Sequence, residues 1–222
     1  MVYSIGRTGV YEIEPDGYVR GGDEAWGEVE FLHPEGVDSH AKARDHLLTT
    51  YGYPLVVDSM PKGFVWKSKT KAPPDYVFGT NRVMLLSARF RDLVERTEPG
   101  VHQFAPVSMY YSDVEDERFD EYYWFVCCNL IDSLDPKKTS YNWRGFYDER
   151  MEDGLRRGRW YLDLAVEPTQ KAVFDLNAIG AHHLWRDPYI NARTTVYCSD
   201  VFAGSVRDAG LTGVALNYHE QV

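Results

Sequence analysis

Apolar and polar positions alternate over residues 1–60, in "VYEIEPDGYVRGG" and "GEVEFLHPEG", and Asp16-Gly17, Gly21-Gly22 and Pro34 interrupt the alternation. A period of two broken by turn residues predicts short strands. One short helix is expected at about Ser39 to Tyr51, capped by Asp38 or Ser39, with Ala41, Leu47 and Leu48 on its apolar side. Residues 61–78 carry Pro61, Pro73 and Pro74 with Lys62, Lys67, Lys69 and Lys71, which reads as a loop or an internal boundary. No Gly-rich phosphate loop accompanies the lysines, so a solvated loop is favoured over a phosphate site. The division expected is a β-rich region 1–60, the Pro/Lys-rich loop 61–78 and a core 79–222, with the first and last as separate units or as one continuous domain.

Further along, the period changes. Leu86, Phe90, Leu93 and Val94 recur at helical spacing between Met84 and Glu98, Ser87 is a suitable N-cap, and Pro99-Gly100 ends the run. "VHQFAPVSMYY" predicts a strand, and "EYYWFVCCNLIDSL" a buried central one, because it is apolar on both faces and too short for a membrane. "RWYLDLAVEP" and "KAVFDLNAI" are further strand candidates. The chain closes as strand, Ser-capped helix, Gly turn and strand. The two helical stretches look alike: Ser87 and Ser199 open them, Phe90 and Phe202 follow three residues later, and Gly100 and Gly213 precede strands. A weak internal repeat explains this, as does the general likeness of amphipathic helices that lead into strands. Strand signals outnumber helix signals without regular alternation, which predicts an α+β fold, a largely antiparallel sheet with a few short helices packed on it.

Composition narrows the class. Among 222 residues, Gly and Pro number 18 and 11, an ordinary share that excludes collagen and low-complexity disorder. No stretch reaches the roughly 18 apolar residues of a membrane helix, and the first residues lack a secretory layout, so a cytosolic protein is expected. Three cysteines, two of them adjacent, do not make a disulfide framework. The net charge of −10 and pI near 5.2 argue against a nucleic-acid surface and fit either solubility alone or a basic partner.

Candidate chemistry is sparse. Ala181-His182-His183 is a triplet found in small metal-dependent nucleases, with one histidine as base and the other as ligand, but its neighbours Leu184, Trp185, Arg186 and Asp187 favour a structural pair. Cys198, before a helix start, has the position of an activated thiol, yet it also ends an apolar strand and is better read as packing. Cys127 and Cys128 point to opposite faces of a strand and cannot jointly chelate. No cofactor or metal site is expected. The sharpest feature is acidic: Asp113, Glu115, Asp116, Glu117, Asp120 and Glu121 are six of nine consecutive residues, flanked by Tyr110, Tyr111, Tyr122 and Tyr123. As a turn between two strands this would be a steering surface for a basic protein with aromatic anchors, or simply a solvated hairpin.

The C-terminal "SDVFAGSVRDAGLTGVALNYHEQV" resembles the ending of a family of bacterial immunity proteins, immunity family eleven. The likeness continues through the Ser87 helix with "PGVHQFAPV" and through "YYWFVCCNLIDSLDPKKTSY", with Asp132, Leu134, Asp135 and Ser140, and covers roughly Tyr53 to Tyr218. The resemblance implies a non-catalytic protein that binds and neutralises a toxin, while the cytosolic expectation and the exclusion of membrane and nucleic acid as partners rest on composition and charge. It carries over no binding residues, since the matched positions are caps, turns and core strands. The alternatives are a metal-dependent nuclease built on His182 and His183, and an adaptor that docks a toxin without neutralising it.

Overall fold

The computed structural model describes residues 1–8, 13–15, 63–66, 73–78, 84–111, 114–145, 158–161, 171–190 and 195–222. The expected helix at Ser39 to Tyr51 lies outside them. One five-stranded sheet contains β1 (Val2–Arg7), β10 (Val173–Phe174), β11 (Leu184–Trp185), β12 (Val196–Ser199) and β13 (Val214–Gln221), in the order β10-β13-β1-β12-β11. A six-stranded sheet contains β2 (Ile13–Pro15), β3 (Gly63–Trp66), β4 (Tyr76–Phe78), β5 (Met84–Ser87), β6 (Gln103–Tyr111) and β7 (Val114–Val126), in the order β2-β3-β6-β7-β5-β4. A separate hairpin pairs β8 (Asn142–Gly145) with β9 (Gly158–Tyr161). The helices are α1 (Ala88–Thr97), α2 (Leu176–Ile179) and α3 (Asp200–Asp208). Strand pairing among the described residues is antiparallel except for β3 with β6 and β10 with β13, so the chain is an α+β protein with mostly antiparallel sheets.

The Ser-capped helices form as their sequences require. Ser87 Oγ accepts from the Phe90 amide at 3.3 Å and Ser199 Oγ from the Phe202 amide at 3.2 Å, each satisfying an amide that the first turn leaves without a carbonyl. Phe90 and Phe202 are both buried, and their ring centroids lie 6.2 Å apart. The two helices therefore meet over one core, to which β1, β12 and β11 contribute Tyr3, Ile5, Val196, Cys198 and Leu184, and the other sheet Tyr76, Met84, Leu86 and Phe125. A second core on the opposite face of the five-stranded sheet gathers Val2, Phe174, Trp185 and Tyr197. Alternate residues of β1 and β12 thus serve different cores, which is the pleat at work.

The sheets share a plan. In each, a helix joins two strands that lie on either side of a central antiparallel strand: β5-α1-β6 brackets β7, and β12-α3-β13 brackets β1. In each, an antiparallel strand flanks the first of the pair (β4, β11) and a parallel strand flanks the second (β3, β10). The likeness of the two helical stretches in the sequence extends to the sheets around them.

Three expectations change. Strands β3 and β4 lie inside the Pro/Lys-rich stretch that reads as a loop; Trp66, Tyr76 and Val77 are buried there, and their apolar side chains outweigh the neighbouring lysines. The long apolar run ends as a strand at Val126, and residues beyond it instead make single bridges, Leu130 to Arg186 and Leu134 to Phe174. "KAVFDLNAI" is a strand only at Val173–Phe174, because Asp175 accepts from the Asn177 amide at 2.8 Å and starts α2. Of "RWYLDLAVEP", Gly158–Tyr161 is strand and the remainder lies outside the described residues.

Candidate functional site

The acidic run is not a turn. From Val114 onward its backbone is β7, paired with β6 through Tyr111↔Val114, Tyr110↔Arg118 and Met109↔Phe119. A register shift between Val107 and Met109 places Asp120 and Glu121 in a bulge, with Glu121 at a φ of 74°, a left-handed conformation that a non-Gly residue seldom adopts. Strand β5 reaches only Ser87, opposite Tyr122, where the chain turns into α1. Among the described residues, 114–121 is therefore paired by β6 alone.

Glu115, Asp116, Glu117, Asp120 and Glu121 follow one another along this segment, and Glu121 is exposed. Asp113 lies outside the described residues. Tyr110 and Tyr111 stand at the facing end of β6. Tyr122 is buried and its hydroxyl donates to the Pro73 carbonyl at 2.7 Å, so its ring belongs to the interior. Tyr123 is half-buried under the guanidinium of Arg91, 4.3 Å from the ring centroid. Of the four flanking tyrosines, Tyr122 is the one whose described surroundings exclude it from a contact surface.

A second polar group joins the two halves. Glu98 ends α1, and its buried carboxylate accepts from the His183 amide at 2.7 Å, the Leu184 amide at 3.1 Å and His102 Nε2 at 2.7 Å. His102 Nδ1 accepts from the Cys128 amide at 3.2 Å, which puts the neutral ring's proton on Nε2, facing Glu98. Burial pushes the Glu98 carboxyl upward, but the hydrogen bonds from His102 and the His183 amide outweigh it and hold the group below its ordinary range. Asp75 is its counterpart on the other side. It accepts from the Thr212 amide at 2.8 Å, the Thr212 hydroxyl at 2.9 Å and the Ser87 hydroxyl at 2.7 Å. Burial raises its carboxyl too, and these bonds with Arg89 nearby bring it below the ordinary value. Sequence reading passed over both, although Glu98 carried a signal: a carboxylate at a helix C-terminus is opposed by the macrodipole and needs another reason to be there.

The histidine pair falls within this arrangement. His183 Nδ1 lies 2.8 Å from Ser199 Oγ, and Ser199 holds the place in α3 that Ser87, bonded to Asp75, holds in α1. The contact is thus part of a helix cap. His182 is exposed, 3.2 Å from Asn129 Nδ2 and 3.7 Å from Glu98. Among the described residues no three His, Cys, Asp or Glu side chains converge on a metal-sized site. Cys198 is fully buried, and burial pushes its thiol up to about 12, which keeps it protonated and makes it a packing residue. Cys127 is likewise buried and pushed up to about 12.

No helix of the described residues is long and apolar enough to cross a membrane. No curated protein matches the chain at a significant level. Residues 30–221, which include both helix-bearing units apart from β1 and β2, match one family, and the chain belongs to it: the immunity protein family Imm11.

Proposed function

We propose that this chain is an immunity protein that binds a cognate toxin in the cytosol and neutralises it by protein–protein contact, without catalysing a reaction. Family membership over 30–221 carries the reading. The acidic segment supports a location for the contact. Residues 114–121 are paired by β6 alone among the described residues and carry five carboxylates, and a segment of this kind steers and holds a basic partner. The contact residues proposed are Glu115, Asp116, Glu117, Asp120 and Glu121 with Asp113, Tyr110, Tyr111 and Tyr123.

Co-expression with the toxin encoded beside this gene tests the function. Cells that carry both are expected to grow, and the purified proteins to co-elute. A toxin that kills equally with and without this chain overturns the reading.

A further inference from the structure

We infer that the molecule consists of two copies of one structural unit fused in permuted order, with β1 as the displaced closing strand of the second copy. This inference is independent of the proposed function.

Register carries it. On one side of the central strand, Ser87 faces Tyr122 and Leu86 faces Tyr123, as Ser199 faces Val2 and Cys198 faces Tyr3. On the other side, Phe104 faces Phe125, as Leu216 faces Ile5. These comparisons are separate, yet the sequence offset that takes Ser87 to Ser199 and Phe90 to Phe202 also takes Phe104 to Leu216. The spacing from the capping serine to the residue facing the central strand is therefore the same in both units, although α1 is one residue longer than α3 and β6 one residue longer than β13. The flanking strands agree as well: Tyr76 faces Leu86 as Leu184 faces Cys198, and the Ser87 amide donates to the Asp75 carbonyl at 2.9 Å as the Ser199 amide donates to the His183 carbonyl at 3.0 Å. Direction of pairing, order in the sheet, register and capping coincide over five strands and a helix. Register is set separately on each side of a strand by its hydrophobic pattern and turns, so agreement on both sides of the central strand supports one plan for both units.

Besides β2, α2 and residues 114–121, which the described residues of the other unit do not match, the units differ in chain path. In the first unit the central strand follows the helix-borne strand directly, β6 into β7. In the second, the central strand precedes the rest of the chain. Val2 faces His219, so the start of β1 adjoins the end of β13 just as β7 adjoins β6. Placing residues 1–8 after Val222 restores the chain path of the first unit. As the chain runs, β1 must find partners at the far end of the sequence, which makes its docking the long-range closing step of the five-stranded sheet.

The test is a circular permutant of the full chain in which a short Asn-Gly link joins Val222 to Met1 and the ends open after Thr8. A control permutant has the same link and opens in the turn at Pro136–Lys138. The first is expected to keep the parent's near-ultraviolet spectrum, to melt cooperatively within about 5 °C of it, and to refold at least about threefold faster, because its longest-range pairing has become local. Loss of fold in this permutant while the control folds overturns the inference. So does failure of both, since the link then cannot bridge strands said to adjoin. A native permutant that refolds no faster than the parent overturns the closing role of β1.

Discussion

At the scale of single residues the fold depends on a few positions that bridge the halves. Gly213 has a φ of 82°, and a Cβ there would collide with the Tyr76 carbonyl and the Pro74 side chain. Gly213→Ala is expected to cost upward of about 2 kcal/mol in chemical denaturation, from both left-handed strain and the clash. A loss below about 0.5 kcal/mol would show that the Thr212 turn yields freely. Glu98 has a pH signature. Its folded carboxyl is held below the ordinary value, so the stability it contributes is present in full above the unfolded value, about 4.3, and disappears as pH falls through the folded one. Glu98→Gln presents an amide to two backbone donors and is expected to cost about 2–4 kcal/mol at pH 7. The gap between variant and parent should narrow as the solution is acidified below about pH 4, because the parent alone loses a charge there. Parallel stability curves for the two proteins from pH 7 to pH 3 would exclude this account.

Among the elements, the helices test how the cores are shared. Phe90 and Phe202 are each buried, and each is expected to cost about 3–5 kcal/mol on truncation to Ala. Their rings touch, so the double variant should lose less than the two single losses together, by at least about 0.5 kcal/mol. Strict additivity would mean that the helices do not pack on each other. Both helices were legible in the sequence because a serine cap acts on an amide three residues away. The antiparallel character was legible from alternation in the strands. The carboxylate contacts between the halves were not: the Glu98 carboxylate meets the amide of His183, and Asp75 meets Thr212, pairs that only the tertiary fold brings together. The acidic run was visible as composition, but a hydrophilic stretch reads as a turn, and what makes this one a strand is pairing with β6. The burial of Tyr122 was hidden for the same reason, since its partner is the Pro73 carbonyl.

For the molecule as a whole, charge and cooperativity are the measurable quantities. Reversal of Glu115, Asp116 and Glu117 to Lys is expected to preserve the fold, since strand edges accept lysine, and to slow association with the toxin at least about tenfold at low salt, with the effect shrinking as salt rises. An unchanged association rate would place the contact elsewhere. The core between α1 and α3 has a different consequence. Phe90 and Phe202 draw each sheet into the packing of the other, so the core between α1 and α3 is lost when either half melts. Calorimetry should then give one transition whose van't Hoff and calorimetric enthalpies agree. A cut that unfolds one half exposes the face of the shared core on the other, and limited proteolysis is then expected to destabilise both halves together.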